Sequence, residues 1–151
     1  MRTLIILAVS LFILTNCNDV TGSEEIKTPS EMILGKWKVS EATIDGSVYP
    51  VTNPGFGQIE VTFTENDVEY IYPGVDDSGM PTASTDTLIA NWQLENESTL
   101  IHITHPINNV TLFEWEVVNL GVGLLKTSFI SQSPLDQQST STYILTYQLI
   151  E

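Results

Sequence analysis

The sequence predicts an all-β domain closed into a single antiparallel up-and-down barrel of about eight strands. Three observations carry this. From Leu34 onward the dominant apolar period is two, the spacing that places alternate side chains on one face of a strand. Thr, Val, Ile and aromatic residues dominate these stretches, as strands prefer. The stretches follow one another through short polar turns, and no stretch carries a 3.6-residue apolar stripe.

The stripes run in order. Trp37 and Val39 share one face, but Ala42 and Ile44 have the opposite parity. A bulge near Ser40 or Glu41 restores a single inward face. Met32 to Leu34 reads as one short helical turn ahead of this strand. Ile59, Val61 and Phe63 come next, then Val68, Tyr70 and Tyr72. Leu88, Ala90, Trp92 and Leu94 make a further stripe, followed by Ile101 and Ile103. Thr111, Phe113, Trp115 and Val117 precede Leu125, Thr127 and Phe129. Tyr143, Leu145, Tyr147 and Leu149 close the series. Three longer loops, 46–57, 73–86 and 131–142, are rich in Gly, Pro, Ser, Thr or Asp. A barrel leaves no exposed sheet edge. The alternative is a β-sandwich, disfavoured because these strands lack the long crossovers of Greek keys.

Residues 1–16 read as an export leader. Arg2 supplies a positive start, and residues 4–14 are apolar apart from Ser10. That run is shorter than the roughly 20 residues a spanning helix needs, and it has the length of a signal-peptide core. Cys17 is the only cysteine. Leu14-Thr15-Asn16-Cys17 resembles the bacterial lipobox, with Asn16 where Gly, Ala or Ser is usual. The resemblance implies cleavage before Cys17 and lipidation of its thiol, which anchors the protein to a membrane. With that thiol acylated the fold has no disulfide. Residues 17–31 form the lipidated cysteine and a flexible polar tether, and 32–151 the barrel domain. Ser23-Glu24-Glu25 resembles the acidic export signals of Bacteroidetes surface lipoproteins. The expected location is the bacterial outer membrane, facing the periplasm or the cell surface.

After residue 16 the chain keeps four lysines against 19 carboxylates, a formal charge of −15. There is no basic patch to meet phosphates, so nucleic acid is excluded as a partner. The acids are spread along the chain and read as a solubilising surface.

Leu34-Gly35-Lys36-Trp37-Lys38-Val39, followed by Ala42-Thr43-Ile44-Asp45-Gly46, resembles the opening of the lipocalin-like domains of Bacteroidetes lipoproteins. The segment from Val61 to Tyr70 resembles their second hairpin. Ala90-Asn91-Trp92-Gln93-Leu94 with Leu100-Ile101-His102-Ile103 resembles the next. The resemblance implies that Gly35 and Trp37 are structural residues at the closed base of the barrel. Two features differ. Lipocalins stack a late-strand arginine on this tryptophan, whereas Arg2 is the only arginine here. They also carry a C-terminal helix, and no helical pattern follows the last strand.

Tyr70, Trp92, Phe113, Trp115, Phe129, Tyr143 and Tyr147 fall on the apolar stripes. The interior of an eight-stranded barrel either fills with side chains or holds one small ligand. These seven are therefore the candidate lining of a small hydrophobic ligand site in the barrel mouth, gated by the three long loops. The alternative is a filled core, with the loops contacting an envelope protein or a glycan. Tyr49, Pro50, Pro54 and Phe56 are the aromatic and proline cluster that suits it.

No metal or cofactor is expected. His102 and His105 lie three apart and point to opposite faces of a strand. Asp76, Asp77 and Asp86 lack the spacing of a calcium loop. Glu114 and Glu116 share the solvent face opposite Trp115, and Lys126 faces outward between Leu125 and Thr127. No Ser-His-Asp arrangement has a motif context, so the chain reads as a binding protein and not an enzyme.

Overall fold

The computed structural model describes residues 26–132 and 139–151. The leader, Cys17 and the first part of the tether lie outside the described residues, as does much of the loop at 131–142.

The fold opens with a five-residue helix, α1 (Pro29–Ile33). Thr28 and Glu31 form a capping box: Glu31 Oε2 accepts from Thr28 N at 2.7 Å, and Thr28 Oγ1 accepts from Glu31 N at 3.3 Å. Proline at the first helical position completes the start signal. The helix thus takes residues 29–31 from the predicted tether, and begins earlier than the turn read at 32–34.

Among the described residues nine strands follow: β1 (Gly35–Ile44), β2 (Ser47–Tyr49), β3 (Glu60–Phe63), β4 (Asp67–Val75), β5 (Pro81–Glu95), β6 (Leu100–Thr104), β7 (Thr111–Gly121), β8 (Leu124–Gln132) and β9 (Thr140–Leu149). From β3 to β9 each pairs antiparallel with the next, and β1 joins β3 to β9. The result is a closed eight-stranded barrel, with β2 lying beside the far half of β1. The closure of the sheet on itself rules out the sandwich.

The period-two stripes give the inward face. Trp37, Val61, Phe63, Val68, Ala90, Ile101, Ile103, Trp115, Leu125, Leu145 and Tyr147 are all buried in one core. Each fully buried large apolar side chain contributes about 1.5–3 kcal/mol relative to exposure. In β1 the register against β9 jumps between Val39, opposite Tyr147, and Glu41, opposite Thr146. Ser40 is the extra residue, and its Oγ donates to the Thr146 carbonyl at 3.2 Å. The bulge turns both Val39 and Ala42 inward, because a one-residue slip reverses strand parity.

Two predicted loops contain strand. Asp45 and Gly46, with φ of 50° and 79°, make a two-residue turn that starts β2 inside the segment 46–57. Residues 73–86 are mostly an extension of the β4–β5 hairpin: Tyr72 lies opposite Asp86, Pro73 opposite Thr85 and Val75 opposite Pro81. The turn itself is short. Asp76 Oδ1 accepts from the Ser78 hydroxyl at 2.7 Å, Ser78 N at 2.9 Å and Met80 N at 3.0 Å. These bonds, the Ser78 hydroxyl first, hold the Asp76 carboxyl below its usual range.

Strand alternation puts α1 and the turns at 64–66, 96–99 and 122–123 at one end. The connections at 45–59, 76–80 and 105–110 lie at the other. At the first end Ile33 and Trp37 are fully buried and shut the barrel. Gly35 permits this closure: its φ is +128°, and an added Cβ would stand 2.7 Å from Leu149 Cδ1 and 2.8 Å from the Glu151 carbonyl oxygen.

Candidate ligand-binding site

The site arises from an irregular strand. Against β6, β7 pairs Phe113 with Ile103 and Thr111 with Thr104, leaving Leu112 as an extra residue. Against β8 it pairs Val117 with Thr127 and Asn119 with Lys126, leaving Val118 extra. Two bulges in one strand bend and twist it sharply. The β7–β8 seam is consequently joined only over its lower half, from Gly121 opposite Leu124 up to Glu116 opposite Ser128. Above that point residues 111–115 pair only with β6, and residues 129–132 only with β9.

The separated strands flank a groove through the barrel wall with a volume of about 710 Å³. Its lining combines both faces of the sheet. Phe113, Trp115 and Phe129 come from the inward stripe, and Glu114, Glu116, Ser128 and Ile130 from the outward one. Trp115 is buried, whereas Phe113 is 38% and Ile130 72% exposed.

Behind this lining the rings form one connected set. Trp115 stands 6.3 Å from Phe113, 6.4 Å from Phe129, 5.5 Å from Tyr70 and 6.4 Å from Tyr147, centroid to centroid. Phe129 stacks on Tyr143 at 5.2 Å with an interplanar angle of 4°. Tyr70 also meets Phe113 at 6.1 Å and Tyr72 at 5.5 Å. These spacings fall in the range favoured by aromatic pairs. Phe113, Trp115 and Phe129 therefore line the groove, while Tyr70, Tyr143 and Tyr147 brace them.

Trp92 does not join them. It packs edge-on against Phe63 at 5.0 Å, and its Nε1 donates to the Thr64 carbonyl at 2.8 Å. That places it near the closed end, beside a separate groove of about 490 Å³ bordered by Ser30, Glu31 and Leu34. Its parity was legible in the sequence but its height along the barrel was not.

The inner wall is uncharged. Burial, with a smaller contribution from Tyr72, pushes the Tyr70 phenol up to about 12. Burial first and Tyr70 second push the Tyr147 phenol well up, and Thr127 eases it slightly. Both phenols stay neutral at physiological pH. Thr127 Oγ1 and the Tyr147 hydroxyl are buried, and neither makes a well-formed hydrogen bond.

The remaining sequence candidates are occupied elsewhere. His102 Nε2 lies 2.8 Å from Thr111 Oγ1 and its Nδ1 3.3 Å from Glu95 Oε1, whereas His105 Nδ1 accepts from Ile107 N at 3.3 Å. Among the described residues no three His, Cys, Asp or Glu side chains are grouped to hold a metal, and no helix is long and apolar enough to cross a membrane. Tyr49 is exposed at the barrel's loop end, but Phe56 turns inward and packs against the core. Phe56–Gln58 packs beside β1 and β4, and Gln58 Nε2 donates to the Ala83 carbonyl at 3.1 Å. Glu114 and Glu116 face solvent as expected, yet the split seam also makes them the rim of the groove, which their spacing alone could not announce.

No family model and no curated protein matches the sequence. Solved structures do match in shape. A lipocalin-like protein from Bacteroides uniformis superposes with a TM-score of 0.50 at 15% identity, over 79% of this chain and 99% of that one. Bovine odorant-binding protein from nasal mucosa gives 0.49 at 11% identity, over 83% and 75%. The same bovine protein complexed with its natural ligand gives 0.47 at 10% identity, over 80% and 72%. The chain therefore carries a lipocalin-like fold, a closed eight-stranded antiparallel barrel.

Proposed function

We propose that this chain is a bacterial outer-membrane lipoprotein, anchored through Cys17, whose barrel binds a small hydrophobic ligand between β7 and β8. The observation that carries the binding role is the aromatic groove of about 710 Å³ in the split seam. That volume falls among small-molecule sites, which run about 300–1,000 Å³ with mostly apolar walls and few polar groups. The sequence alone supports the anchor: an apolar leader core directly precedes the single cysteine. We read the role as carriage or sensing from the apolar rings of the lining, Phe113, Trp115 and Phe129.

The test is gentle purification of the lipidated protein, extraction with organic solvent and mass spectrometry of the extract. About one equivalent of an apolar molecule is expected, and its loss in Phe113→Asp places it in the groove. For the anchor, Cys17→Ala should move the protein out of the membrane fraction; a variant that stays there contradicts lipidation. A second reading, docking to an envelope protein or a glycan, draws on Val48 and Tyr49, which stand exposed together on β2. It predicts that Val48→Asp with Tyr49→Asp abolishes partner capture, while groove variants leave it intact.

A further inference from the structure

The groove is polarised across the barrel wall, and its polarity selects among hydrophobic ligands. Its inner side is Phe113, Trp115 and Phe129, braced by neutral phenols. Its outer rim on β7 carries Glu114 and Glu116, two residues apart on one face and so about 7 Å from each other. No lysine, arginine or histidine lines it. Lys36 and Lys38 of β1 are committed to Glu60 of β3, at 3.1 and 2.9 Å, and Lys126, outward on β8, lies below the groove opposite Asn119. His102 lies opposite Glu114 in the β6–β7 pairing, where Thr111 and Glu95 engage its two ring nitrogens.

We propose that the groove binds organic ammonium ions carrying a flat apolar body. The body lies against Phe129, with the buried Trp115 behind it, and the cationic head sits at the rim, over the exposed Phe113 ring and beside Glu114 and Glu116. Two attractions act together on that head: the ring quadrupole, effective within about 6 Å of a centroid, and the two carboxylates. A carboxylate head meets the reverse of both, with no cation in the lining to offset it. An alcohol head meets neither. The inference rests on the hydrophobic-ligand reading of the same groove and adds the ligand's charge.

The experiment is calorimetric titration of the lipidated chain in phosphatidylcholine vesicles, with blank vesicles subtracted. Three probes share one naphthyl body: naphthylmethyl-trimethylammonium, naphthalenemethanol and naphthylacetate. The ammonium is expected to bind at least tenfold tighter than the acetate, with the alcohol between. Glu114→Gln with Glu116→Gln should remove most of that preference and leave the alcohol's affinity within about twofold, which also reports that the variant is folded. Equal or tighter binding of the acetate overturns the inference. So does a preference that survives in the double variant, since it then comes from the overall negative charge, four lysines against 19 carboxylates after residue 16. If the alcohol binds in either case, the hydrophobic-ligand reading stands and only the charge selection fails. If none of the three probes binds, both fall.

Discussion

Trp37 Nε1 donates a 2.7 Å hydrogen bond to the carbonyl of Ile33, and both residues are fully buried. A helix end leaves carbonyls without intrahelical partners, and here the first strand supplies the donor. The bond locks α1 across the base of the barrel. Trp37→Phe should therefore remove packing volume and strand a buried carbonyl together. An expected loss of about 3 kcal/mol or more follows, read as a lowered midpoint in urea unfolding. Naphthyl-probe affinity in the folded variant should hardly change, because the groove lies toward the other end.

Gly35 belongs to the same closure. At φ +128° an L-residue is strained, and its Cβ would meet Leu149 and the Glu151 backbone below 3 Å. The C-terminal backbone is tied here, with Lys36 N donating to the Glu151 carbonyl at 2.9 Å and Ile150 N to the Lys36 carbonyl at 2.8 Å. Gly35→Ala is expected to destabilise by about 1–3 kcal/mol. Amide exchange should accelerate first at Ile150.

Thr127 and Tyr147 offer the opposite sign. Each holds a buried hydroxyl without a well-formed partner, and such a group carries a desolvation penalty of about 1–3 kcal/mol. Thr127→Val keeps the shape and removes the hydroxyl. The thermal midpoint should rise, or at worst hold. A clear fall would mean that the two hydroxyls stabilise one another.

Glu60 links stability to pH. The Lys38 bond chiefly holds its carboxyl below the usual range; burial opposes it, and the Lys36 bond, a weaker influence than burial, adds to the lowering. A carboxyl lowered in the folded state stabilises above its unfolded value, near 4.3. That stabilisation is lost as pH falls through the folded value. Glu60→Gln should therefore lower stability slightly at pH 7, as partly exposed ion pairs do. The difference from the parent should vanish at acid pH. Urea midpoints at pH 7 and pH 3 give the comparison.

Much of the barrel is legible in the sequence because strand parity is local. Val61, Phe63, Ile101, Ile103 and Leu145 point inward as their spacing dictates, and the parity break after Val39 calls for a bulge near Ser40 or Glu41, which the register against β9 puts at Ser40. The β4–β5 hairpin between Tyr72 and Asp86 was hidden because that part stands largely clear of the core. Its residues alternate against solvent, and its Gly, Pro and Ser content imitates a loop. The apolar stripes include Phe113, Trp115 and Phe129 but do not separate them from Trp92, which also lies on a stripe. The groove depends on a seam that fails to pair, and Leu112 and Val118 reveal that only when β6 and β8 are both in place.

The most direct test of the ligand site is equilibrium titration of a neutral, apolar, solvatochromic dye into the parent protein and into Phe129→Glu. Saturable binding of one equivalent, with energy transfer from tryptophan and at least tenfold weakening in the variant, is the predicted result. Binding that does not saturate, or that ignores the charge placed in the groove, would contradict a ligand site between β7 and β8.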